Sequence, residues 1–469
     1  MEGSWISIIP FAVVIITAIM TKQVFPGLTL GLITGAYLVE PSILGGIQQA
    51  IQYIVDSLTD INNLKIIIFL YLFSGLVGII KITGGIRGFV DLTAKKINTK
   101  KEALLLTWIS TLGTFSAPSF RIVTVVPIMK ALLQKINMTR KELAFMIETS
   151  TQPVIVLIPI ATAFVGYMVS VIEMGLQNQG IEADPYSLFV QSIPFNFFAI
   201  SMIIIGTLFV LFRHSKSNRY DQEDEDGDPN KVKEEKENPA ISKDLPSKPW
   251  NLIVPVLLVI CLTLFLTWWD GYSKGYDFFE AFIEADVLQA MVVALFITIL
   301  FTFVMQLLQG NSLKKMIHEF IQAGNNLMSV ILLLSVVWAL SSTTEALGFS
   351  TFVTNNVDWI PTMFIPPVMF IIGAFVSYFI GSSWGTWGIL MPLGISLAQA
   401  ADASLPLVIG AVFASGSFGS FSSPLSDNNN TIAEILDLNA MQYARYKLLP
   451  ALIAVGISTV LYGIMTFVL

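Results

Sequence analysis

Asp427, Glu148 and Arg121 stand inside stretches that are otherwise apolar, where a charge needs a reason. Asp427 opens the run Asp427-Asn428-Asn429-Asn430-Thr431, a place where a half-helix can begin. A carboxylate there suits a carrier of cations or protons at mid-membrane depth; its plainer role is a helix cap at the interface. Glu148 precedes Thr149-Ser150-Thr151-Gln152-Pro153. A buried carboxyl can hold a proton and a cation by turns, whereas an interfacial one near Lys141 would do neither. Arg121 closely follows Ser116-Ala117-Pro118-Ser119. It suits a carboxylate-bearing substrate, or a fixed ion pair with Glu148 or Asp427.

Hydroxyl and amide side chains gather at four places. These are Thr114 to Ser119 with Ser116, Glu148 to Pro153 with Thr149 and Thr151, Gly381 to Thr386 with Ser382 and Ser383, and Ser415 to Asn430 with Ser422, Ser423 and Asn428. An unbroken membrane helix satisfies its own backbone. A break frees N–H and C=O groups at a cost, unless protein or a wet cavity uses them. Freed carbonyls, hydroxyls and amides suit a hard cation such as Na+, for which Asp427, Ser423 and Asn428 are the candidate ligands. Half-helix N-termini suit an anion. Ser and Thr also cap or pack helices, and Trp384 and Trp387 could wall a site or simply pack.

Such breaks need membrane spans to carry them. The 469 residues are 54% hydrophobic and 13% charged, with a net charge of −7. Soluble domains carry about 25% charge, so a soluble enzyme, a nucleic-acid binder and a disordered scaffold are excluded. Apolar runs recur from end to end, which implies an all-α polytopic membrane protein in a lipid bilayer. Spans are expected near 5–21, 24–39, 64–84, 142–172 and 188–212, then near 251–269, 287–308, 327–346, 405–437 and 446–468. Run 5–21 lacks a basic leader and reads as a span rather than a signal peptide.

Loops with Lys95, Lys96, Lys100 and Lys101, and with Lys130, Lys135, Arg140 and Lys141, are both basic and should both be cytoplasmic. The apolar segment 103–133 between them must then be a re-entrant hairpin. Segment 363–400 reads as a second hairpin, entering from the other side. Segment 213–250, with Asp221 to Asp226 and several lysines, reads as a cytoplasmic tether. Asn62-Asn63-Leu64 lines up with Asn325-Asn326-Leu327, and the same shift pairs Gly85 with Gly348. Residues 1–212 and 251–469 therefore read as two inverted repeats: about ten transmembrane helices, two re-entrant hairpins and two broken helices. Segments 43–61 and 310–324 read as interfacial amphipathic arms. Gly27, Gly31 and Gly35 allow close helix packing, within a scaffold or across a dimer.

One cysteine, Cys261, allows no disulfide within the chain, and the two histidines lie outside clear spans. No nucleophile–His pair, His-Glu-x-x-His or nucleotide-binding loop occurs, so neither an enzyme nor an ATP-driven pump is expected, and no cofactor. Two opposed dead-end hairpins fit alternating access better than an open channel.

Gly381-Ser-Ser-Trp-Gly-Thr-Trp-Gly-Ile-Leu-Met-Pro392 and Ser423-Pro-Leu-Ser-Asp427 resemble the signature stretches of the NhaC-type Na+/H+ antiporter family, within the wider ion-transporter superfamily. The resemblance covers most of both halves and implies a scaffold domain, a mobile transport domain and an elevator-like cycle, often in homodimers. It implies exchange of Na+ for H+, or coupled transport of organic acids or amino acids. The family's pattern has acidic residues at the first hairpin tip, where this chain has Thr114-Phe-Ser-Ala-Pro-Ser119 with Arg121 behind. That departure shifts the expectation toward an organic anion or zwitterion.

Overall fold

A computed structural model describes residues 4–85, 99–114, 138–160, 162–212, 246–278, 280–356 and 361–468, together with positions 87, 88, 118, 121, 122, 125, 126, 129, 130 and 133. The tip residue Ser116, the basic positions Lys95, Lys96 and Lys135, and tether residues 213–245 lie outside the described residues. Among the described residues, eight helical stretches are long and apolar enough to cross a membrane, and Trp5–Thr21 is a shorter apolar one.

The first half contains α1 (Ile9–Thr21), α2 (Val24–Val39), α3 (Ile43–Thr59), α4 (Ile61–Ile82) and α5 (Lys100–Thr114). It continues with α6 (Arg140–Thr149), the one-turn α7 (Gln152–Ile155), α8 (Ala163–Gln179), α9 (Pro185–Ser192) and α10 (Phe197–Phe212). The second half contains α11 (Trp250–Ser273), α12 (Val287–Leu308), α13 (Leu313–Asn325), α14 (Met328–Ala346) and α15 (Phe349–Asn356). After these come α16 (Ile365–Ile380), α17 (Ser383–Ala400), α18 (Leu405–Ser422), α19 (Asp427–Ile435) and α20 (Ala440–Met465).

Polar residues placed before several of the apolar runs start these helices. Asp60 accepts from the N–H groups of Asn62 and Asn63 at the start of α4, and Asp286 accepts from Gln289 at the start of α12. Thr139 and Glu142 form a reciprocal capping box on α6. The helices then sort into two bodies by packing. One holds α1 to α4 with α11 to α14; the other holds α6 to α10 with α16 to α20. Contact between the bodies is made chiefly where α8 meets α4 and α14, where α17 meets α14, and where α1 meets α16.

Within the first body the packing is reciprocal. Arm α13 lies on α4, and arm α3 lies on α14. Gly75 and Gly78 of α4 admit Phe320 and Ala323 of α13, and the Ser74 hydroxyl donates to the Ala323 carbonyl at 2.5 Å. Gly84 (φ +74°) and Gly348 (φ +76°) both take the left-handed conformation that ends α4 and α14, so the conformational counterpart of Gly348 is Gly84 rather than its neighbour Gly85. The glycine stripe of α2 is used inside the chain. A Cβ on Gly27 would stand 2.7 Å from the Val14 carbonyl, and one on Gly35 would stand 2.5 Å from Thr343 Cγ2.

Candidate functional site

The breaks expected at 148–153, 381–386 and 415–430 all belong to the second body. At the first of these, Ser150 and Thr151 separate α6 from α7. At the next, Gly381 turns the chain with φ +75°, and Ser382 caps α17 by accepting from the Gly385 N–H. A side chain at Gly381 would also collide with the Leu425 backbone at 2.8 Å. At the last, Ser423 to Ser426 are unwound between α18 and α19.

These breaks border a cavity of about 720 Å3 between the two bodies. The second body contributes Gln152, Ser382, Ser383, Trp384, Ser420, Ser426, Asp427 and Asn428; the first contributes Lys22, Gln23, Asn326 and Ser329; Pro118 borders it as well. Phe25, Phe164, Leu333 and Ile380 supply apolar wall. Four of the expected site residues thus meet: Asp427, Asn428, Ser382 and Ser383. Asp427 is exposed at the first turn of α19, so it is neither deeply buried nor the cap residue itself, a position held by Ser426.

The other expected residues that are described lie off the cavity. Glu148 is fully buried and held by Lys447, whose Nζ is 2.8 Å from Oε1 and 2.7 Å from Oε2. The Tyr443 hydroxyl donates to Oε2 at 2.5 Å, and the Lys447 ammonium also stands over the Tyr443 and Phe421 rings. The expected pairing of Arg121 with Glu148 or Asp427 is therefore not formed. Arg121 is buried instead against Thr151 Oγ1 (2.9 Å), Ser110 Oγ (3.0 Å), Ser150 Oγ (2.9 Å) and the Thr107 carbonyl (2.5 Å). It ties α5 to the unwound turn at 150–151, and it does not border the cavity.

Thr149 returns its hydroxyl to the Phe145 and Met146 carbonyls, and Thr151 returns its own to Ile147. Thr386 is buried and returns its hydroxyl to the Ser382 carbonyl at 2.9 Å, within the first turn of α17. Ser423 Oγ accepts from the Leu425 N–H at 3.1 Å and shapes the turn. Ser422 is buried with no hydroxyl partner among the described residues, and it does not border the cavity. Of the expected Na+ ligands, Asp427 and Asn428 share the cavity and Ser423 does not. Among the described residues, no cluster of three or more His, Cys, Asp or Glu stands ready for a metal. The two tryptophans divide: Trp384 walls the cavity, while Trp387 is buried and donates to the Phe413 carbonyl at 2.9 Å.

Sequence reasoning missed Lys22, Gln152, Asn326 and Lys447. Lys447 sits near the start of a long apolar run, a position that ordinarily lets an ammonium snorkel to water. The nearby aromatic Tyr443 is the one local sign of burial. Lys22 lies in the two-residue link between α1 and α2, and its left-handed backbone (φ 56°) marks it as unusual.

The arrangement has counterparts among known proteins. The Na+/H+ antiporter family model matches residues 154–467. An uncharacterised Haemophilus influenzae protein is 26% identical over 451 residues, covering 90% of this chain and 83% of the other. The malate-2H(+)/Na(+)-lactate antiporter of Bacillus subtilis is 27% identical over 191 residues, 40% of each chain. In fold, the chain is similar to Neisseria gonorrhoeae MtrF, described in a study of antimetabolite efflux pumps (TM-score 0.66, 12% identity, 90% of this chain and 85% of that one). It is also similar to the Alcanivorax borkumensis YdaH transporter (TM-score 0.60, 13% identity, 89% and 88%). With a family match over most of its length, apolar spans and a cavity walled by broken helices, the chain is a multi-pass membrane transporter rather than an enzyme, and it belongs to the Na+/H+ antiporter family.

Proposed function

We propose that this secondary transporter moves a small organic carboxylate coupled to Na+ or H+, with the cavity between the two bodies as its alternating-access site. The carrying observation is the cavity itself. Its volume of about 720 Å3 lies in the range of small-molecule sites and far exceeds the needs of a dehydrated Na+. It joins apolar wall to an ammonium, Lys22, and to the starts of two helices, α17 and α19. The Bacillus subtilis relative, by its name, exchanges malate and lactate, which supports the same class of ligand here. In this reading Asp427, with Asn428 beside it, takes the coupling cation or proton. The elevator-like motion is a displacement of the second body against the first, and the limited contact between them supports it.

The exchanged packing of arms α3 and α13 supports reading residues 1–212 and 251–469 as inverted repeats. We place the protein in the cell membrane, and the distribution of Lys and Arg supports segment 213–250 in the cytoplasm. On the same reading the α1–α2 link with Lys22 is at the cytoplasmic end, so the cavity lies toward the inside. A homodimer is the assembly the family resemblance suggests.

Exchange of Na+ for H+ alone is the second reading, favoured by Asp427 on the cavity wall. Inverted vesicles separate the two. Uptake of labelled malate or lactate driven by a Na+ or pH gradient supports the carboxylate reading. A pH-gradient dye that responds to Na+ with no acid present, in vesicles that take up neither acid, supports the second.

A further inference from the structure

We infer that Gln152 binds the transported ligand directly, donating its side-chain N–H to a ligand oxygen and so setting specificity for an oxyanion. This deepens the carboxylate reading above and rests on it. Gln152 is the first residue of α7, immediately after Thr151, whose backbone (φ −103°, ψ −90°) is neither helical nor extended. It is only 1% exposed, yet it borders the cavity. Its Oε1 is 3.5 Å from Asn428 Nδ2, and its Nε2 has no partner among the described residues.

A buried amide N–H without an acceptor is costly, and native proteins keep few of them. An acceptor that arrives with the ligand removes the cost. The surroundings favour an anionic one. Asn428 and Asp427 lie in the first turn of α19, and the cap residue Ser426 makes no side-chain cap; its hydroxyl donates to the Ser420 carbonyl at 2.6 Å. Donor groups of that turn thus lie at the same edge of the cavity. Lys22 borders the space from the other body. Among the described residues, Asp427 is the one carboxylate on this lining, and it leaves the ligand oxygen to be met by the amide and the ammonium. Because Gln152 belongs to the second body, its contact moves with the ligand, whereas that of Lys22 is made only in this arrangement. Turning both amides over would present Gln152 Oε1 instead, an acceptor suited to a cation. The choice of variants separates the two cases.

The test uses the full chain in liposomes, with labelled L-malate and L-lactate as probes under an imposed Na+ or pH gradient. Gln152→Met keeps the length of the side chain and removes the donor. It should raise KM at least about 10-fold and change Vmax little, as loss of a hydrogen bond to a charged group does. Gln152→Glu is nearly isosteric and should weaken acid binding at least as much. It also carries the test if the Met variant fails to give a monodisperse protein. A wild-type KM in Gln152→Met, or acid transport retained together with tighter Na+ dependence in Gln152→Glu, overturns the inference. If the wild type moves neither acid, the carboxylate reading itself has failed, which is seen before any variant is compared.

Discussion

Lys447 Nζ grips both carboxylate oxygens of Glu148, at 2.7 and 2.8 Å, and neither side chain reaches solvent. This pair joins the end of half-helix α6 to the last helix, α20, inside the second body. Removing one partner strands the other charge. Glu148→Gln or Lys447→Met should each destabilise the protein by about 3–5 kcal/mol. Glu148→Leu with Lys447→Met should recover most of that loss. Thermal unfolding in detergent measures both, and transport by the double variant shows whether the pair does more than hold two helices together.

Asp427→Asn should abolish coupled transport while the protein stays folded. Asp427 is exposed, so its loss should cost no more than about 1 kcal/mol of stability. Inverted vesicles would report the flux and a melting curve the fold. Normal coupled flux in this variant would move the coupling site elsewhere.

Arg121 works through the unwound turn. Its planar fork reaches Thr107, Ser110, Ser150 and Thr151 at once, a pattern an ammonium cannot reproduce. Arg121→Lys should lower Vmax about 10-fold and leave the substrate KM near the wild-type value. A rise in KM alone would place Arg121 on the substrate.

Lys22 pairs a left-handed backbone with a charge at the cavity. Lys22→Gly relieves the backbone, and its stability should rise or hold within about 1 kcal/mol. The same change removes the ammonium, so KM for an anionic substrate should rise and its salt dependence should weaken. Initial-rate measurements at two ionic strengths check both effects.

Gly31→Leu should overpack α1 against α2, because even a Cβ would collide with Val14 Cγ2. A loss of about 1–3 kcal/mol is expected in a melting experiment. A changed oligomeric state at unchanged stability would instead point to a role between chains.

Local chemistry carries much of the architecture. The apolar run lengths locate the spans, because a bilayer fixes how many residues a helix needs to cross it. Gly, Ser, Asn and Pro inside those runs locate the breaks near 150, 381 and 424, because such residues tolerate or cause interrupted helices. Asn62-Asn63 stands just after arm α3, and Asn325-Asn326 at the end of arm α13. Partner choice is harder to read. Arg121 and Glu148 both stand out as charges in apolar surroundings, but nothing local distinguishes a substrate contact from a buried tie.

The sequence by itself determined that this is a membrane protein of apolar helices with polar interruptions, since hydropathy and backbone chemistry are local properties. The tertiary structure decided which interruptions share a space. Gln152, Ser382 and Asp427 are far apart along the chain, yet they border one cavity, and Lys22 from the opposite body completes it. It also decided that Glu148 belongs to Lys447, 299 residues away. A charge buried in a low-dielectric interior is settled by whichever partner the packing brings within reach, and that depends on how the helices meet rather than on the run of residues around it.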